Sequence, residues 1–522
     1  MTVTIIPRRK MLRGAALWGG AALAALSPVR KVLAKPVFIN DPFQLGVACG
    51  DPVADGFVIW TRLAPDFFDP MALAPEAIPV SWEVAADAAM KKIVSRGTVL
   101  AHPELAHSLH VDVRGLAPQR EYFYRFSSGS AVSRIGRGHT WPTPRVPVER
   151  VKFAVASCQH YEQGYFSAYR DMIAQNPDFI VHLGDYIYEI SWGTTVRHSP
   201  VGEAYTLPEY RLLHALYKSD PDLQAAHAHC PWLFMWDDHE LANDYAKDQA
   251  EKTLDPVVFQ KRRAAAFQAY YEHMPVRASV MPNAEGQSVL FQRLNYGDLM
   301  EIILPDLRQF RDRIPCQTPE THAGRVVDLA QCPEIDDPAR SFMGAAQERW
   351  FRDAFGRVES SWNVIAQTLM MVSLDQLPGP AMGIYTDNWG AYPAAKRRIL
   401  DLIKSRNMRS VVSLGGDIHS FFAGEIKDDP ANMASETLIS EFVGSSITSE
   451  SYNTKKFIAA LSENPHIKFC DDRQRGYMLC SVDRKTFLTE MRVVDNVRIR
   501  ESKCSSLKSF VVENGKPGPQ PA

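Results

Sequence analysis

Four short stretches of this chain end a run of apolar residues in side chains that can hold a cation. Val151 to Gln159 reads V-K-F-A-V-A-S-C-Q, and Asp178 to Glu189 reads D-F-I-V-H-L-G-D-Y-I-Y-E. Phe234 to Asp244 reads F-M-W-D-D-H-E-L-A-N-D, and Val411 to Ser420 reads V-V-S-L-G-G-D-I-H-S. Runs of this length, rich in Val, Ile, Leu and Phe, fit strands buried on both faces. Open α/β sheets bind ligands at the C-terminal tips of such strands. Four tips in one sheet would gather Cys158, Asp185, Tyr188, Asp238, His239, Asn243, Asp417 and His419 into one crevice. Thiolate, phenolate, carboxylates and imidazole together outline a metal site.

Each fragment also has a plainer reading. Asp185 and Tyr188 lie three apart just past a strand, where a carboxylate can bridge two ions and a phenolate suits a trivalent ion such as iron(III). An Asp capping a helix explains the same G-D-x-x-Y. Asp417 and His419, alternating after Gly415-Gly416, could give one oxygen and one nitrogen to adjacent ions, or form a turn beside a satisfied histidine. The Asp237-Asp238-His239-Glu240 block is harder to explain away. Packing that many titratable groups against apolar flanks is costly unless a cation repays it.

The elements that must position these tips follow from the pattern around them. From Phe43 to about Ser127, short apolar segments separated by turns such as Gly50-Asp51-Pro52 and Asp55-Gly56 predict a β-sandwich over residues 40–143. Its Val113 to Phe126 stretch looks like the end of a fibronectin type III-like module, and Trp141 to Pro144 reads as a stiff linker. Residues 150–503 alternate strands with helical segments, so the fold class is α/β, with a layered α/β domain after the sandwich. Residues 504–522 contain Gly and Pro and read as a loose tail.

With 58 basic and 60 acidic residues the net charge is −2, which gives no bulk electrostatic case for nucleic acid or an anionic membrane. The N-terminus carries Arg8-Arg9, a moderately apolar stretch from Gly14 to Leu26, and Val32-Leu33-Ala34. That is the pattern of a twin-arginine export signal over residues 1–34, cleaved after Ala34. The apolar run falls short of the roughly 20 residues a membrane span needs, so no stable anchor is expected after cleavage. The implied partner is the twin-arginine export machinery, and the location is the periplasm or beyond. Of eight Cys residues, Cys316 and Cys332 flank a polar insertion that a disulfide could close in an oxidising compartment. Cys158, placed after a strand, is expected to stay reduced as a ligand.

Taken in order, these motifs resemble the calcineurin-like metallophosphoesterase pattern, and within it the alkaline phosphatase D family of secreted phosphodiesterases and phosphatases. The resemblance extends to F-Q-L-G-V-A-C-G-D-P from Phe43, A-Y-Y-E-H-M-P-V-R from Ala269 to Arg277, and R-G-Y-M-L from Arg475. It implies iron(III) held by Cys158, Asp185, Tyr188 and His419, with Asp185 shared, and calcium at Asn243 and Asp417 with Asp238 as a further oxygen donor. The family's Asp-Thr-Arg is replaced here by Asp306-Leu307-Arg308, which puts any role of Asp306 in doubt. Arg262 is favoured to meet the phosphate, with Arg263 and Arg308 as competitors, because a guanidinium fork neutralises two oxygens at once. His239 is expected to protonate the leaving alcohol, or else to buttress Asp237 or Asp238.

The expected function is metal-assisted hydrolysis of a phosphate ester, as an exported alkaline phosphatase or phosphodiesterase. Alternatives are a phospholipase D-like activity on phospholipid head groups, or a surface binding protein whose metal site is structural. The loops around Asn243 to Phe259 and Cys316 to Ser341 would set access to the crevice.

Overall fold

Burial of both faces of the central strands explains why their apolar runs are continuous: two large sheets face each other and share one core. The computed structural model describes residues 36–522 apart from 70, 253, 358 and 452–454. The export signal expected over residues 1–34 lies outside the described residues. In the first sheet, of ten strands, Arg150–Ala156, Phe179–Leu183 and Trp232–Met235 run parallel side by side. In the second, of seven, Met300–Leu304, Trp362–Ala366, Val411–Gly415 and Thr437–Val443 do the same. Phe442 of the second sheet stacks on Phe487 of the first, and Trp362 meets the same ring edge-on. Helices cover the outer faces, as parallel sheets require.

The N-terminal region is a sandwich, but half of it belongs to the ten-stranded sheet. A five-stranded sheet containing Ile78–Ala85, Ile93–Ala101 and Glu121–Ser128 packs on Val47–Val53, Gly56–Arg62 and Ser108–Val113. Those last three strands continue the larger sheet, with Gly50 pairing in parallel with Trp232. Trp141, expected in a stiff linker, is instead buried between Phe179 and Tyr296, so the junction is packed rather than a spacer.

The expected loose tail is a correction. Cys504–Glu513 and Lys516–Pro521 are strands that close the ten-stranded sheet. Phe510 and Val512 are buried in the core, which outweighs the turn-forming signal of Gly515 and Gly518. Among the described residues no helix is long and apolar enough to cross a membrane.

The helix Leu207–Lys218 begins with a capping box between Thr206 and Glu209 and ends by burying Lys218 at the junction of the two regions. The ammonium lies 4.4 Å from the Trp60 ring centroid and 3.5 Å from His227 Nε2. Burial pushes its pKa down from 10.5 to about 7. Between those two values the unfolded chain holds a proton that the folded chain lacks, so stability rises with pH across that window. Below it both states are charged and the burial cost is felt in full. Each tenfold loss of proton affinity on folding corresponds to about 1.4 kcal/mol. Lys218→Met should therefore stabilise the protein by a few kcal/mol near neutral pH and converge with wild type toward the top of the window. Urea unfolding at stepped pH checks this; parallel curves for the two proteins would refute it.

Candidate metal centre

Backbone geometry at the strand tips already marks the site. Cys158, Asp185, Asp417 and His419 have φ of 58, 54, 68 and 52°, in a region that residues other than glycine seldom enter. Such conformations persist where the surroundings over-determine them, and they gather at functional sites. Gly184, before Asp185, has φ 85°, and a Cβ there would sit 2.5 Å from Asp237 Cβ. Only glycine lets these two tips approach.

Glu240 fastens them together. Its carboxylate accepts from the backbone N–H groups of Asp185, Tyr186 and Asp237 at 3.1, 2.6 and 2.8 Å. Even with three donors its pKa rises to about 8, because burial and the neighbouring Asp237 outweigh them.

One group of side chains mixes sulfur, oxygen and nitrogen. Ligand atoms of Cys158, Asp185 and His419 all lie within 4.8 Å of one another. Tyr188 Oη donates to Asp185 Oδ2 at 2.9 Å and lies 3.0 Å from His419 Nε2. His419 Nδ1 faces the Glu450 carbonyl at 2.7 Å, which fixes its N–H there and turns the Nε2 lone pair to the cluster. Two further groups adjoin the first: Asp185, Asp238 and His239, then Asp237, Asp238 and Asp417. Asp185 and Asp238 are each shared between two of the three.

The charge balance calls for cations. Burial, then Asp238, Asp237 and Glu240, drives Asp185 well above the usual carboxylate range, against the pull of His239. Burial and Asp237 do the same to Asp417. Burial and Asp185 push the Cys158 thiol up. Burial also acts on Asp238, but Arg308 and His239 hold it below the usual range. Asp185 Oδ1 is buried without a hydrogen-bond partner, and Asp238 Oδ1 has only the Arg308 guanidinium, 3.3 Å away, beside it. An orphaned buried carboxylate oxygen beside a thiol and a phenol is what a bound cation satisfies, so the donor set fits metal ions.

Comparison with known proteins gives the family. Residues 153–491 match the model of the PhoD-like phosphatase, and residues 30–142 match that of the PhoD-like phosphatase N-terminal domain. The chain belongs to the PhoD-like phosphatase family. Alkaline phosphatase D of Bacillus subtilis (strain 168) is 40% identical over 98% of this chain and 88% of its own length. A solved structure of PhoD superposes with a TM-score of 0.89 at 39% identity, covering 93% of each chain. A purple acid phosphatase, PPD1 of yellow lupin, shares the fold at TM-score 0.54 and 10% identity, covering 91% of this chain and 74% of its own.

Not every residue expected at the site of this PhoD-like phosphatase is found facing it. Cys158, Asp185, Tyr188, Asp238, His239, Asp417 and His419 are brought together. Asn243 Nδ2 donates to Glu251 at 3.0 Å and its N–H to Glu189 at 2.6 Å, which fixes the turn it stands on. Arg262 stacks over Tyr205 and donates to Tyr210 Oη at 2.9 Å and Glu203 at 3.3 Å. Arg263 donates to the backbone carbonyls of Lys247 and Glu285. The arginine among the carboxylates is Arg308. It forks onto Asp237, reaches Asp387 at 2.7 Å, and stands 3.3 and 3.5 Å from Asp238 and Asp417. Asp306 accepts from the Arg308 and Gln309 N–H groups at 2.9 and 3.0 Å and so shapes the turn that presents Arg308.

Asp387, Glu189 and the fastening role of Glu240 emerge only from the structure. The E-after-G-D-Y-I-Y position of Glu189 was the available signal in the sequence; Asp387 had none. Removing one partner of a buried charge network leaves the others uncompensated. Arg308→Met should cost about 3–5 kcal/mol in protein stripped of metal, and Arg308→Lys should recover only part because an ammonium cannot fork. Denaturant unfolding measures both; a loss under about 1 kcal/mol would count against a central role for this guanidinium.

Proposed function

We propose that this protein is an exported, metal-dependent phosphoric ester hydrolase that uses an iron(III)–calcium centre, acting as an alkaline phosphatase or phosphodiesterase. The observation that carries the reading is the meeting of Cys158, Asp185, Tyr188 and His419 at the tips of strands from two different sheets. Thiolate, phenolate, carboxylate and imidazole would hold the iron, and the all-oxygen side formed by Asp238 and Asp417, with Asp185 shared, suits calcium. The name of the Bacillus subtilis relative points to the same chemistry. Export rests on Arg8-Arg9 and the apolar segment behind them.

When bound, such ions draw electron density from a phosphate ester and lower the pKa of water. The chain's own residues do the rest. His419 is oriented by the Glu450 carbonyl, and Tyr188 Oη is further held by Ser449 Oγ at 2.8 Å. His239 Nδ1 lies 2.7 Å from Glu189, whose other oxygen accepts the Asn243 N–H. Glu189, Asp238 and Asp185 raise the His239 pKa well above the ordinary value despite its burial, and Nδ1 is committed to Glu189. The Nε2 proton is the one left to give to the departing alkoxide.

Elemental analysis of protein from its native host should find iron and calcium, and Cys158→Ser should lose iron while staying folded. Turnover of bis-p-nitrophenyl phosphate with calcium tests catalysis directly; stoichiometric metal with no turnover would indicate a structural site instead. His239→Asn should slow alkyl phosphate esters about 10²–10⁴-fold and p-nitrophenyl esters much less, since that leaving group needs no proton. Equal losses on both substrates would remove His239 from the acid role.

A further inference from the structure

Near the carboxylate side of the centre lies a loop to which the proposed chemistry gives no role. Cys316 and Cys332 form a disulfide, Cα atoms 6.0 Å apart, that closes the polar insertion between them. The closed loop is held at several further points. The Arg325 guanidinium donates to the Cys316 carbonyl at 2.8 Å, and the Cys316 N–H to Glu334 at 2.6 Å. The strand Val326–Asp328 pairs with Gly383–Tyr385, and the Arg325 N–H donates to Thr386 Oγ1 at 3.0 Å, one residue before Asp387.

At Gly324 the loop reaches the carboxylate cluster. The Gly324 N–H donates to Asp244 Oδ2 at 2.7 Å, and the Asp244 N–H donates to Asp238 Oδ2 at 2.6 Å. No other residue fits at position 324 without a shift. A Cβ there would stand 2.5 Å from Asp387 Cβ and 2.8 Å from the Tyr385 ring. Asp244 itself has φ 53° and lies on the turn after the Asp237-Asp238-His239 block. A second contact leads to the same turn: the His322 N–H donates to the Glu251 carbonyl at 2.8 Å, and the Glu251 carboxylate accepts from Asn243.

We propose that the loop closed by Cys316 and Cys332 is a positioning element for the calcium side of the centre, in which Gly324 fixes Asp244 and, through it, Asp238. The proposal rests on the iron–calcium reading. Gly324 and Asp244 act here as positioning residues. Outer partners that orient a ligating carboxylate typically change metal affinity about 10–100-fold when removed. The thiol-and-phenol side is oriented by Glu450 and Ser449, outside the loop, so iron should be insensitive to it.

The test is calorimetric titration of iron-loaded protein with calcium chloride alone, with iron content and melting temperature measured in parallel. Cys316→Ser/Cys332→Ser and, separately, Gly324→Ala with the disulfide intact should each keep full iron content and weaken calcium binding about tenfold or more. Should the double variant fail to fold, Gly324→Ala carries the test alone. A brace that served stability only would lower the melting temperature and leave the calcium dissociation constant unchanged; that result overturns the proposal. Wild-type protein that binds neither iron nor calcium would overturn the iron–calcium reading, and this proposal with it. Calcium bound tightly by wild type and equally by both variants would overturn this proposal alone.

Discussion

The rest of the structure depends on one electrostatic constraint: many carboxylates are buried at one end of two sheets, and few protein cations accompany them. Asp185, Asp237, Asp238, Asp244, Asp387 and Asp417 crowd one crevice, against which the chain sets Arg308, Arg311 and His239. Like charges a few ångström apart in a poorly polarisable interior repel strongly, and desolvation adds to the cost. Arg308 neutralises the Asp237–Asp387 side. On the Cys158–Asp185–Tyr188–His419 side the nearby cations are His239, beside Asp185, and Arg475, which donates to the His419 carbonyl, and it is there that the donors change from oxygen alone to sulfur, phenol and imidazole. The division of labour between protein cation and metal ion follows from where that arginine sits.

The framework around this charge is correspondingly rigid. Positive-φ residues at the strand tips, the Gly184 approach to Asp237, and Glu240 clasping three backbone N–H groups fix loops that would otherwise be free to relax away from one another. The N-terminal region adds to that rigidity, since its strands extend the ten-stranded sheet and Trp141 seals the joint. It is built into the enzyme's core and is no detachable appendage.

Much of the centre was legible before any fold was known. Apolar runs ending in Cys158, Asp185, Asp238, Asp417 and His419 state both the strand and its polar tip, because a buried parallel strand has to end where its side chains can meet solvent or a ligand. Spacing places Asn243 on a turn and Arg262 on a helix but does not say which way either faces. Asn243 turns to Glu251, and Arg262 faces the Tyr210–Glu203 side of its helix. The C-terminal residues misled because Gly and Pro signal turns locally, whereas Phe510 and Val512 find their core only when the ten-stranded sheet exists.

By itself, then, the sequence determined the chemistry on offer: which side chains could bind cations, that they ride on strand ends, and which family's order of motifs they follow. Only the tertiary structure decided which of them meet. Asp387 and Arg308 lie far apart along the chain yet form one ion pair, and Gly324 reaches Asp244 across a disulfide-closed loop. Local pattern records the preferences of neighbours in the chain, while a metal centre is assembled by contacts between distant segments, whose register is set by the packing of two whole sheets.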